Sequence, residues 1–181
     1  MWEVRAKIDL TGSGLAGRDH SCMLEPVDTS DFPTGAADLD YGAREMAALE
    51  ALKEEARAHV ASWASSPPIK ELVLAFGVAP IVGLFLVRFA SPVARGELTG
   101  QAETWAVAGD LPAMCFETDD ARIPSDALRM YCAIAQDWAD TALAGGDLAE
   151  CYPIPVEPSR EHGELLLQRI AFLRKEMIPL A

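Results

Sequence analysis

Between Glu71 and Arg88 the chain runs for 16 residues, Leu72 to Val87, without a charge. Such a stretch belongs either in a membrane or in a protein core. A membrane does not fit: at 1.5 Å per residue a helix of this length reaches about 24 Å, against the roughly 30 Å of a hydrocarbon layer. Gly77, Pro80 and Gly83 also interrupt it. The run is therefore core, and it divides at Pro80. Upstream, Ser66 followed by Pro67 resembles a helix N-cap, and Ile69, Leu72, Val73 and Phe76 fall at i, i+3, i+4 and i+7. That spacing predicts a short helix to Gly77. Downstream, Ile81 to Ala90 is apolar on both sides, the mark of a strand in the middle of a sheet.

The flanking segments follow from the same kind of reading. Residues 2 to 10 alternate, with Trp2, Val4, Ala6, Ile8 and Leu10 opposite Glu3, Arg5, Lys7 and Asp9, which predicts a half-buried strand. From Thr11 to Asp40 the chain is rich in Gly, Asp, Ser and Pro, and it reads as a partly ordered loop in which Cys22-Met23-Leu24 is the best fragment for a returning strand. A helix is expected from about Asp40 to Trp63, because Met46, Leu49, Leu52, Ala56, Val60 and Trp63 recur every three or four residues. Thr104 to Ala108 and Ala113 to Thr118 read as two strands joined through Gly109-Asp110-Leu111-Pro112.

Pro124-Ser125-Asp126 opens a further helix, with Leu128, Tyr131, Ala135, Trp138 and Ala142 inward and Gly145-Gly146 as its stop. The alternating prolines of Tyr152-Pro153-Ile154-Pro155-Val156 exclude helix and central strand, which leaves an extended surface segment. A last helix is capped by Ser159 and carries Leu166, Ile170, Leu173 and Met177 along one stripe. The expected architecture is α+β: a small, mainly antiparallel sheet packed against about four helices. Residues 1–40 are expected to form an N-terminal strand and partly ordered loop extension, and residues 41–181 a single α+β domain.

Net charge narrows the partners. The 181 residues carry 28 Asp and Glu against 15 Lys and Arg, a net charge of −13. Residues 1–40 hold −5 of it and residues 119–157 hold −6. No basic stripe is present to neutralise phosphates, so neither nucleic acid nor an anionic membrane surface is an expected partner. A basic protein partner suits the two acidic blocks, and a homodimer is the other expected association. The four cysteines form no C-x-x-C pair, and the Met1-Trp2-Glu3-Val4-Arg5 start lacks the features of a secretory signal. Both observations point to reduced thiols and a cytoplasmic setting.

Gly12-Ser13-Gly14-Leu15-Ala16-Gly17 matches G-x-G-x-x-G, but Arg18-Asp19-His20-Ser21 leads to Pro26 without a helical period. A phosphate-binding turn must feed a helix, so the glycines read as a flexible turn. His20 with Cys22, and Glu55 with His59 at i, i+4, are the closest approaches to ligand spacing; each reads as a solvated or hydrogen-bonded pair, and no metal or cofactor is expected. Cys151 is the most accessible thiol by position and His162 the nearest base, yet adjacent Glu150 opposes activation, and no catalytic residue is assigned. Cys115 and Cys132 read as small hydrophobes.

The strongest cluster is Asp119 and Asp120, with Glu117, Arg122 and Asp126 beside them, between a strand end and a helix start. Paired carboxylates in such a loop suit acid-base work or a hard cation, while Arg122 would position an anion. Trp105 and Trp138 are expected in the core. Tyr152, among prolines, is expected to present its ring at a binding surface, and Phe32-Pro33 is a weaker case of the same kind.

Phe76-Gly77-Val78-Ala79-Pro80, Val107-Ala108-Gly109-Asp110-Leu111-Pro112, Thr118-Asp119-Asp120-Ala121, Asp137-Trp138 and Tyr152-Pro153-Ile154-Pro155-Val156 together resemble an uncharacterised bacterial family, a domain of unknown function, over about residues 70 to 181. The resemblance implies a soluble bacterial protein without an assigned activity and transfers no catalytic residue. The functional expectation is a non-catalytic, inhibitor-like or interaction domain that binds through Asp119, Asp120, Arg122 and Tyr152. A small metal-dependent hydrolase built on Asp119 and Asp120 is the alternative, and an apolar pocket for a small ligand is a third.

Overall fold

The structure, a computed structural model, describes residues 25–33, 42–63, 66–94 and 98–181. The expected strand over residues 2–10, the Cys22–Leu24 fragment, the Gly12–Gly17 motif, His20 and Cys22 lie outside the described residues. Within them the chain forms helix α1 (Ala43–Ala61), strands β1 (Ile69–Val78), β2 (Val82–Phe89), β3 (Glu103–Gly109) and β4 (Met114–Phe116), then helices α2 (Pro124–Ala144) and α3 (Arg160–Phe172). The four strands form one antiparallel sheet in the order β1-β2-β3-β4. The class is α+β as expected, with three α-helices among the described residues in place of about four.

The fourth helix was the error: residues 66–77 do not coil, and Ile69–Val78 is an edge strand. Its register slips between Ile69 and Glu71 and again between Leu74 and Phe76. Each slip breaks the two-residue alternation. Ile69, Leu72 and Leu74 consequently pack with α1, while Val73, Ala75, Phe76 and Val78 pack on the opposite face. Apolar residues of a bulged strand have thus fallen by chance at helical intervals.

The sheet lies between two unequal layers. On one face α1 lays Leu49, Leu52, Ala56 and Val60 against Phe85, Val87, Phe89, Ala106 and Ala108. On the other, α2 and α3 cover Leu84, Leu86, Trp105 and Val107 with Leu128, Tyr131, Ala135, Trp138, Leu166 and Ile170. β2 is buried along nearly its whole length, as its two-sided apolar sequence requires. The helices close on each other at Gly163, where a Cβ would lie 2.9 Å from Leu143 Cγ and 3.2 Å from the Ala139 carbonyl oxygen.

Local signals account for the helix ends. Pro124 starts α2, and Gly145, at φ 66°, stops it in the left-handed conformation. The Ser159 side chain accepts a hydrogen bond from the His162 N–H at 3.1 Å, as an N-cap should. In the β3–β4 hairpin Gly109 adopts φ 133°, and a Cβ there would meet the Ile81 carbonyl oxygen at 2.4 Å, so only glycine fits. No helix among the described residues is long and apolar enough to cross a membrane.

Residues 25–33 form a strap over the two-helix face. The Val27 N–H donates to Glu103 Oε2 at 2.7 Å, and the Val27 carbonyl accepts from Arg88 at 3.2 Å. Arg88 in turn pairs with Glu103 at 2.8 Å and Glu71 at 2.9 Å. Phe32 is buried, its ring centroid 6.1 Å from that of Trp105.

Candidate functional site: a cleft beside the acidic loop

The loop between β4 and α2 is held from below by β3. Trp105 Nε1 donates to the Ala121 carbonyl at 2.7 Å, the Thr104 hydroxyl donates to the Phe116 carbonyl at 2.7 Å, and Thr118 and Ala121 are buried. This anchoring fixes where the acidic side chains emerge. Asp119 Oδ1 accepts from Gln101 Nε2 at 3.1 Å, Asp120 is exposed, and Asp126 pairs with Arg129 at 2.7 Å in the first turn of α2. Arg122 donates to the Glu25 carbonyl and so ties the loop to the strap.

The four residues singled out by sequence therefore have different engagements. Tyr152 is half-buried, and its hydroxyl accepts the Cys115 N–H at 3.1 Å. The hydroxyl thus satisfies a backbone donor on the edge strand β4, while the side chain stays partly exposed. Among the described residues no group of three or more His, Cys, Asp or Glu is arranged to hold a metal ion.

Cys151, read as the most accessible, is buried; its Sγ lies 3.5 Å from Thr141 Oγ1, and burial is the first cause that raises its pKa. Asp137 and Asp147 add to the rise, where adjacent Glu150 had been expected to act. His162 is exposed and engaged elsewhere, with Nδ1 donating to the Glu157 carbonyl at 2.6 Å. Cys115 and Cys132 are buried as expected of small hydrophobes, and burial pushes the Cys132 thiol up to about 11. All three thiols are thus poor nucleophiles near neutral pH.

Arg122 leads to the feature that sequence reasoning missed. It lines a cleft of about 630 Å³ bounded by the strap, the end of β1, the start of α2 and the last residues of the chain. Asp119, Asp120 and Tyr152 are not part of its lining. Its walls are apolar: Phe32, Phe76, Val78, Ile123 and Leu180. Ile123 is 52% exposed and Leu180 68% exposed. Exposed Asp28 and Asp31 also line it. The Ser30 N–H, donating to Asp28 Oδ1 at 2.9 Å, holds the Asp28 carboxyl below its usual range. Phe32, a weak surface candidate by sequence, is both core and cleft wall.

This arrangement is suited to recognition. Apolar side chains left in water favour burial against a partner, and the two carboxylates outnumber the single guanidinium of Arg122 in the lining, which favours a cationic group there. Comparison of the chain with protein-family profiles, with curated proteins and with solved structures finds no match.

Proposed function

We propose that this protein is a non-catalytic binding domain that recognises a basic protein partner through the cleft between the strap, β1 and α2. The observation that carries the reading is the meeting, at one opening, of exposed Ile123 and Leu180 with the carboxylates of Asp28 and Asp31. The occupant is a segment that places one bulky apolar side chain against Phe32 and Phe76 and sets a Lys or Arg beside the rim. Charge supports this choice: the chain carries −13 overall, so a cationic partner is steered toward it and a second acidic copy is repelled.

A photo-crosslinking residue at Ile123, compared with one at exposed Leu165 on α3, tests the proposal in native cells. The expected result is a basic protein captured from position 123 and not from 165, with the yield reduced by Asp28→Asn with Asp31→Asn and by high salt. Capture only of another copy of this chain, or equal capture from both positions, would overturn it.

A further inference from the structure

We propose that the last turn of α1 is a pH-operated latch: proton uptake by His59 releases His59, Val60 and Trp63 from the sheet and uncovers Ile69 and Phe89. His59 sits on the packed side of α1, three residues after buried Ala56 and beside buried Val60. Its Nε2 is buried and makes no hydrogen bond. The ring meets Trp63 edge-on, with centroids 6.3 Å apart at 80°, and Trp63 lies 6.4 Å from Phe89. The sequence pairing of Glu55 with His59 had suggested a solvated or bonded imidazole; this nitrogen is neither.

A neutral ring tolerates such a place at the cost of one unmade hydrogen bond, whereas an imidazolium needs partners for both N–H groups. Among the described residues none is supplied for Nε2. On α1, Arg57 is engaged by Glu54 at 3.2 Å and Lys53 by Glu50 at 3.7 Å, and Glu55, one turn before His59 on the same side, is exposed and makes no ion pair with it. From the sheet side, Ile69, Leu72, Phe89 and Val93 are apolar. Arg88 points to the opposite face, into Glu71 and Glu103. Burial accordingly holds His59 below its ordinary value of 6.5, against the pull of the helix C-terminus toward a cation.

The turn is the last of the helix. It borders an open cleft of about 440 Å³ lined by Arg57, Trp63, Pro67 and Ile69. Opening there frees one helix end while Leu49, Leu52 and Ala56 stay packed, a local event and not an unfolding of α1. The device needs only one event, the charging of an imidazole that its site cannot solvate.

Hydrogen exchange of the full chain, resolved to the 59–63 amides and corrected for intrinsic rates, tests the latch between pH 7.5 and 5. Opening of this turn should rise by up to about tenfold per pH unit below 6.5 while α2 and α3 stay unchanged. His59→Phe, which fills the site with an apolar ring, should remove the dependence. His59→Gln, which cannot titrate, should remove it too and serves if the Phe variant misfolds. A pH-independent turn, or the same dependence in either variant, would overturn the proposal, as would a His59 pKa of 6.5 or more by NMR.

Discussion

The two faces of the sheet differ in what they bury and in how they are fastened: the α1 face buries Phe85 and Phe89, the opposite face Phe32, Trp105, Phe116, Tyr131 and Trp138. The α1 face is closed by one helix and apolar contact, and its polar tie is missing where His59 leaves Nε2 unpaired. The opposite face has two helices, a strap and a set of directed bonds: Trp105 to Ala121, Tyr131 to Pro112, and Arg88 to Glu71, Glu103 and Val27. Apolar burial alone holds an element loosely enough to open locally, whereas satisfied buried polar groups fix one arrangement. The fixed face is also the one that presents the cleft, and a rigid surface lowers the ordering cost of the binding proposed for it.

The largest effects should come from deleting core side chains on either face. Trp105→Ala should cost about 4 kcal/mol and loosen the whole sheet, because it leaves a cavity and an unpaired Ala121 carbonyl. Leu52→Ala should cost about 2–3 kcal/mol, with faster exchange confined to α1. Urea melts and hydrogen exchange read both quantities, and global loosening by Leu52→Ala would erase the distinction drawn between the faces. Arg88→Met should cost about 1–2 kcal/mol, since it leaves Glu103, only 12% exposed, without its cation and frees the Val27 carbonyl. Limited proteolysis within residues 25–33 should report release of the strap.

The pH effect is smaller and falls on the α1 face. His59 has a folded-state pKa below 6.5, so the unfolded chain binds more protons there. Stability should therefore fall as pH drops through 6.5 toward the folded value, and be unaffected by this group above it. Thermal melts of wild type and His59→Phe should diverge only on the acid side. Smallest of all, Arg160→Ala should leave the melting temperature unchanged, because its i, i+4 pair with Glu164 is solvated at both ends.

Legibility in the sequence followed the same division between regular and irregular structure. α2 was readable because proline, an unbroken inward stripe and two glycines bound it, and β2 because both of its faces are apolar. β1 was not, since two register slips placed Ile69 and Leu72 on one face and Val73 and Phe76 on the other while imitating a helical interval. The candidate site was half legible. Arg122 was marked by its acidic neighbours, but Asp28 and Asp31 stand in a stretch without a period, brought to the cleft by a strap whose bond to Glu103 spans 76 residues. Contacts of that range leave no local pattern. Tyr152 stood out among prolines because the sequence could not reveal the Cys115 amide it satisfies.

The most direct test sets the cleft against the acidic loop in one measurement. With the crosslinker at Ile123, the yield of a basic partner is compared between Asp28→Lys with Asp31→Lys and Asp119→Lys with Asp120→Lys, which change the net charge equally. Reversal at the rim should cut the yield by at least about tenfold, and reversal in the loop by less than about twofold. Loss of the partner from the loop variant alone, with the rim variant unaffected, would contradict the account.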